Sequence, residues 1–166
     1  MPEGVALAAV LAGAGAGAAI DIRTRRIPNA VTFGTAALGL TLAATGLSGV
    51  SLSSSVMGLL LGLALMLPGR LFGATGAGDV KLMGAVGAVL GLERIVQAFL
   101  FTAIAGGLLA VGVSIANRRL GATVRRTGML MTAPGDTRRE IVAPGAGNRF
   151  AYGPAIAAGS LLAAML

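Results

Sequence analysis

Apolar stretches follow one another along almost the whole chain, and this pattern restricts its fold more than any other feature. Six of them can be identified, at residues 4–20, 30–47, 56–67, 79–92, 95–116 and 151–166. Charged residues make up only 11% of the 166 residues, whereas soluble domains carry about a quarter. The chain cannot cover its own surface in water, so the sequence predicts an all-α, polytopic membrane protein with six transmembrane helices. Its length predicts a single integral membrane domain over residues 1–166.

The residue types that the chain lacks exclude several kinds of site. It has no Cys and no His, which excludes disulfides, a thiol nucleophile, a zinc site of the usual kind and a Ser–His–Asp triad. We expect no metal and no cofactor. The net charge of +7 would suit a nucleic-acid-binding protein, but the chain is mostly apolar, with one Tyr and no Trp. Orientation in a lipid bilayer explains the charge better, so nucleic acid is not an expected partner.

The basic residues give the predicted helices a direction. In a six-helix arrangement the polar segments 21–29, 70–80 and 117–149 lie on one side, which holds twelve of the 13 Lys and Arg residues. Only Arg94 lies on the other side. The positive-inside rule makes the basic side cytoplasmic and puts both termini outside. A five-helix arrangement would scatter the charges over both faces. Segment 117–149 is then a basic cytoplasmic loop.

Two of the six acidic residues, Asp21 and Asp79, lie at the predicted cytoplasmic boundary of an apolar helix. Ionisable side chains are costly there and indicate function. Each also has a structural explanation, because Asp21 could pair with Arg23 or Arg25 and Asp79 could cap its helix. Together, at one membrane depth, the two carboxylates could share a proton. One would then act as general base on a water and the other as general acid.

Two other interpretations of the charged residues stay open. A small ion or proton carrier also uses intramembrane acids, although more often near the midplane than at one interface. A Ser/Lys protease pair would need a serine beside Lys81, but the serines within 48–55 lie on the outer side and Ser114 is on another helix. Lys81 does not face Asp79 on a helix, so we expect it to reach the headgroups or to support the local field.

Three motifs, in order along the chain, resemble those of the type IV prepilin peptidase family, the membrane aspartic proteases with a GxGD motif. They are Asp21 followed by Ile27-Pro28-Asn29, Gly76-Ala77-Gly78-Asp79-Val80-Lys81, and Tyr152-Gly153-Pro154. The resemblance implies that Asp21 and Asp79 are the catalytic pair. It also implies supporting or substrate-binding roles for Arg23, Pro28, Asn29, Gly76, Gly78, Lys81, Gly153 and Pro154.

The resemblance further implies the removal of leader peptides from membrane-inserted, prepilin-like precursors, at the cytoplasmic face of the inner membrane. Larger members carry an N-terminal insertion with paired cysteines and also N-methylate the trimmed pilin. This chain has no Cys, so it resembles the minimal, peptidase-only type, and N-methyltransferase activity is not expected.

Other questions stay open on the sequence alone. Segment 117–149 is expected to act as a tether near anionic headgroups, with a role in receiving the leader as the alternative. A non-enzymatic membrane component of a pilus or secretion system is the main rival to the enzyme. The sequence leaves open which precursor is cut and whether the chain forms a homo-oligomer.

Overall fold

The computed structural model describes residues 2–72, 75–116 and 151–166. These residues form five α-helices, and the described part contains no β-strand: α1 (Pro2–Thr24), α2 (Asn29–Ala44), α3 (Leu52–Leu71), α4 (Ala77–Ala116) and α5 (Gly153–Met165). The all-α prediction is confirmed for this part of the chain. The basic loop predicted at 117–149 lies outside the described residues.

The long helix α4 is interrupted at Gly91, whose φ of 78° and ψ of −178° are not helical. Glycine adopts such a positive φ without steric cost. We call the residues before the break, 77–90, α4a and those after it, 92–116, α4b. The Ser54 hydroxyl of α3 accepts a hydrogen bond from the Leu92 N–H at 3.0 Å and so closes the turn. The sequence pattern leaves residues 93 and 94 between two predicted helices, whereas in the structure the break is the single residue Gly91 and Glu93 lies within α4b.

Close backbone contacts fix the relative direction of α3 and α4a. A Cβ atom on Gly58 would meet the backbone of Gly87 and Gly91, and one on Gly62 would lie 2.6 Å from the carbonyl oxygen of Met83. As the residue number rises along α3 it falls along α4a, so the two helices run antiparallel. Small residues at these positions let the two backbones approach each other, as in helix contacts within membranes.

Helix α5 packs against α4b in the same antiparallel way. Tyr152, just before α5, contacts Gly106, and Gly159 further along α5 contacts Thr102. Because Gly153 also contacts Asp21 near the end of α1, α4b must run back from Gly91 towards that end of the molecule. The six helical segments therefore alternate in direction. We call the end that holds Asp21, Asp79 and Gly153 the aspartate end, and the opposite one the Gly91 end.

Several helix bounds differ from the predicted ones. Helix α1 passes Asp21 and ends at Thr24, followed by Arg25 with a φ of 53°. Helix α3 begins at Leu52, within the serine-rich stretch, because the Ser51 side chain accepts a hydrogen bond from the Ser54 N–H. It also continues through Pro68 to Leu71. A charge or a proline ends an apolar stretch, but a helix ends only where its backbone hydrogen bonds end.

Length and hydropathy make three stretches capable of crossing a membrane: Gly4–Thr24, Leu52–Leu71 and Ala77–Gly112. The helices Asn29–Ala44 and Gly153–Met165 are apolar but shorter. Large apolar side chains also face outwards, among them Ile104 at 61% and Leu108 at 70% exposure. Apolar exposure of this extent fits a helical membrane protein, whose outer surface contacts lipid.

Candidate active site

Asp21 lies in the last turn of α1 and is only 5% exposed. Its Oδ2 atom accepts a hydrogen bond of 2.9 Å from the N–H of Gly153, the first residue of α5. The first N–H groups of a helix have no acceptor within the helix and lie at the positive end of its dipole, so they favour a carboxylate. A Cβ on residue 153 would lie 2.9 Å from the Cβ and Oδ2 atoms of Asp21. Only glycine allows this approach.

Asp79 is the third residue of α4a and is 7% exposed. Its Oδ2 atom accepts a hydrogen bond of 2.8 Å from the N–H of Gly76, just before the helix. A Cβ on Gly76 would lie 3.0 Å from that oxygen, so glycine leaves room for the carboxylate. The expected cap of α4 by Asp79 is present, with the side chain reaching back to the residue before the helix.

The fold brings the two aspartates together at the aspartate end. Their negative charges are close enough to repel each other. Ile27, from the loop between α1 and α2, lies against Gly78, where an added Cβ would be 3.0 Å from that of Ile27. The first two motifs therefore meet in space. Within the described residues no group of three or more potential metal-ligating side chains occurs. The ionisable groups that this site brings together are the two carboxylates.

Lys81 connects α4a to the start of α2. Its Nζ atom donates a hydrogen bond of 2.9 Å to Oδ1 of Asn29 and lies 5.5 Å from the centre of the Phe33 ring. Lys81 therefore bonds to a neighbouring helix, and its expected reach to the headgroups or support of the local field stays a prediction. Pro28 is the N-cap of α2, and its carbonyl accepts a hydrogen bond from the Val31 N–H at 3.1 Å.

A profile of the type IV leader peptidase family matches residues 7–111, which is more than half of the chain. The chain belongs to the type IV leader peptidase family. The match includes Asp21 and Asp79 with their motifs and ends before α5. Comparisons with curated proteins and with solved structures give no significant match. The resemblance drawn from the motifs is confirmed at the level of the family, and the chain is a protease of the leader peptidase kind.

The other expected supporting residues of this family member lie at the same end but differ in their contacts. Pro154 is the second residue of α5 and is half-buried. Because proline has no N–H, it leaves Gly153 as the donor at this point of the helix start. Arg23 is exposed in the last turn of α1 and makes no hydrogen bond or ion pair with another described residue.

Tyr152 is a residue of this end that the sequence analysis names only as part of a motif. It precedes Gly153 and is half-buried beside Gly106 of α4b. Burial raises the pKa of the Tyr152 phenol, and the negative charge of Asp79 raises this pKa further. The phenol therefore stays neutral at physiological pH and lies within electrostatic reach of Asp79. An aromatic residue directly before a Gly-Pro helix start is the signal that could have identified it.

Proposed function

We propose that this family member is a membrane aspartic endopeptidase, with Asp21 and Asp79 as its catalytic pair. It removes the leader peptide of type IV prepilin-like precursors at the cytoplasmic face of the inner membrane. The observation that carries the proposal is the approach of two buried carboxylates from separate helices, each with one oxygen held by a glycine N–H. Buried carboxylates are costly, and two of them close together are typical of active sites.

The chemistry needs one aspartate ionised and the other protonated. The ionised one takes a proton from a water, whose oxygen attacks the carbonyl carbon of the scissile peptide bond, while the protonated one gives its proton to the carbonyl oxygen. When the tetrahedral intermediate collapses, the C–N bond breaks and the proton taken from the water goes to the leaving amine. The aspartate that gave its proton takes one back from a hydroxyl of the intermediate as the carbonyl re-forms, which restores the starting pair. Either Asp21 or Asp79 can be the resting base.

The proposed orientation uses six membrane crossings, one for each helical segment. Basic side chains of the described residues gather at the aspartate end, namely Arg23, Arg25, Arg26, Arg70 and Lys81. Only Arg94 lies near the Gly91 end. This distribution supports a cytoplasmic aspartate end and outer termini. Helices α2 and α5 have 16 and 13 residues, so they cross only where the bilayer thins locally around them.

The proposed activity is that of a peptidase alone. Its substrate is a membrane-inserted precursor cut just before its apolar helix, and its other partner is the lipid bilayer. The absence of Cys supports a minimal enzyme without N-methyltransferase activity.

Co-expression with a candidate precursor tests the proposal. Wild type, Asp21→Asn and Asp79→Asn are compared by the size of the precursor on a gel, with the membrane level of each variant measured in parallel. Asparagine keeps the shape of the side chain and removes its titrating group. We expect both variants to insert normally and to leave the precursor uncut.

A variant that still cuts at the wild-type rate would show that its aspartate is structural. If both variants cut normally, the two-aspartate mechanism is wrong and the rival, a non-enzymatic membrane component with a different protease in the cell, gains support.

A further inference from the structure

The hydrogen bond from Gly153 to Asp21 joins parts of the chain that are far apart in sequence, and something must hold its donor in place. The donor is the first residue of α5, which has 13 residues and packs along α1 and α4b. A small rotation of the start of α5 would carry the Gly153 N–H away from the Asp21 carboxylate. Residue 152 is bonded directly to the donor, so its contacts determine where the Gly153 N–H lies.

The ring of Tyr152 is seated on Gly106 of α4b. A Cβ on Gly106 would lie 2.5 Å from Cε2, 2.6 Å from the hydroxyl oxygen and 2.7 Å from Cζ of that ring. Only the absence of a side chain at residue 106 makes this contact possible. One turn earlier on the same face of α4b, Thr102 contacts Gly159 of α5. This face is thus shaped to receive α5 and the residue before it.

Backbone contacts then carry the position of the ring to the donor. The Tyr152 carbonyl accepts a hydrogen bond of 3.1 Å from the Ile156 N–H and so opens α5. The backbone therefore links Tyr152 directly to the first turn of α5 and to the Gly153 donor. The phenol also lies within electrostatic reach of Asp79.

We propose that Tyr152 is a positioning residue whose ring, seated on Gly106, holds the Gly153 N–H against the Asp21 carboxylate. The inference rests on the proposed function, because it assigns a role in setting the ionisation of a catalytic aspartate. Tyr152 acts through Gly153, and it needs no contact with the peptide that is cut.

Two neighbouring glycines provide a matched test. Gly106→Ala pushes the Tyr152 ring from its seat, whereas Gly107→Ala adds the same methyl group where nothing lies within 4 Å. Leader removal from the same precursor is measured against pH with the full-length enzyme in vesicles. Gly106→Ala should lower the rate about tenfold or more, the cost of losing a hydrogen bond to a charged group. Gly107→Ala should match wild type.

The pH profile separates positioning from general damage. Without the Gly153 N–H the ionised form of Asp21 loses a stabilising bond, so one limb of the rate profile should move to higher pH in Gly106→Ala: the acid limb if Asp21 is the base, and the alkaline limb if it is the acid. A lower rate with an unmoved profile, or equal behaviour of the two glycine variants, would overturn the proposal.

A double-mutant cycle gives the second test. Leucine lacks the ring atoms that Gly106→Ala would strike, so Tyr152→Leu and Gly106→Ala remove the same contact. Their combination should lose no more activity than the worse single variant, whereas independent effects would multiply. Multiplied losses count against the proposal. Asp21→Asn keeps the two questions apart: if it still cuts, the proposed function fails, and if it is inactive while Gly106→Ala and Gly107→Ala behave alike, only the positioning role fails.

Discussion

At the scale of single residues, the site depends on glycines that donate a backbone hydrogen bond or leave room for a neighbouring side chain. Gly76 and Gly153 each supply one N–H to an aspartate. An aspartate held by a charged hydrogen bond is fixed in direction, which a general acid or base requires. Lys81 is a further charged residue at this end, and it donates a hydrogen bond to Asn29.

The two aspartates should titrate as a pair. Because one must be ionised and the other protonated, the cleavage rate should rise and then fall with increasing pH, with two coupled ionisations. The measurement is the initial rate of leader removal by enzyme in vesicles from acidic to neutral pH. A rate that stays flat over the acidic range would contradict a carboxylate pair.

The hydrogen bond between Lys81 and Asn29 should support activity because it connects α4a to the start of α2. Lys81→Met keeps the apolar stem but loses the donor, and we expect the cleavage rate to fall about three- to tenfold, as for one lost hydrogen bond. Arg26→Met is the control, because it removes an exposed positive charge at the same end. The cleavage rates of both variants show whether the hydrogen bond to Asn29 or the positive charge at this end supports activity. Equal losses would mean that net charge, and not the bond to Asn29, supports the site.

Both aspartates stand out in the sequence because carboxylates are rare and costly where apolar helices end. The motif resemblance also includes Gly153, but not as the donor to Asp21, since Gly153 lies on the last helix and the contact exists only after folding. The same holds for Tyr152, whose seat on Gly106 depends on the packing of two helices. Spacing along a chain reveals partners within a helix turn, whereas partners across helices need the fold.

At the scale of helices, α3 and α4a are joined by direct backbone contact. A Cβ on Gly58 would lie 2.7 Å from the carbonyl carbon of Gly91, and backbone atoms cannot rotate away as a side chain can. The contact also fixes the turn at Gly91, where Ser54 accepts the Leu92 N–H. Helix α4a, which carries Asp79, therefore takes its position largely from α3.

Gly58→Ala should weaken the fold. We expect the free energy of unfolding to fall by about 1–3 kcal/mol, the usual cost of overpacking. Gly34→Ala on α2 is the control, because nothing lies within 4 Å of its added Cβ. Denaturant-induced unfolding of both variants in mild detergent measures the difference. Equal stabilities would contradict the close contact between α3 and α4a.

The helices themselves were partly predictable from sequence. Apolar stretches located all of them, but their ends were misplaced, because hydrophobicity reports burial in lipid and hydrogen bonding sets where a helix ends. Ser51 starts α3 before its apolar stretch begins, and the break at Gly91 ends α4a at residue 90, two residues before the predicted limit at 92. Caps and positive φ values depend on local hydrogen bonds and backbone geometry, which the hydrophobicity of a stretch does not reveal.

At the scale of the whole molecule, the alternation of six helical segments has a consequence for the membrane. Three stretches are long enough to cross the membrane by themselves. If only these three crossed, some loops of the aspartate end and some loops of the Gly91 end would lie on the same side of the membrane. The direction of each helix, read from its contacts, instead puts Arg26 at the aspartate end and Ser53 at the Gly91 end. The two ends should face opposite sides of the bilayer.

The absence of Cys makes this orientation directly testable. Single variants Ser53→Cys and Arg26→Cys place one thiol at each end, at exposed positions, and a membrane-impermeant maleimide is added to intact cells or to permeabilised ones. Ser53→Cys should react in intact cells, and Arg26→Cys only after permeabilisation, because the positive-inside rule retains the arginine-rich end in the cytoplasm. Wild type gives the background. Reaction of both variants from one side would mean that α2 does not cross the membrane, and this would contradict the arrangement with six crossings.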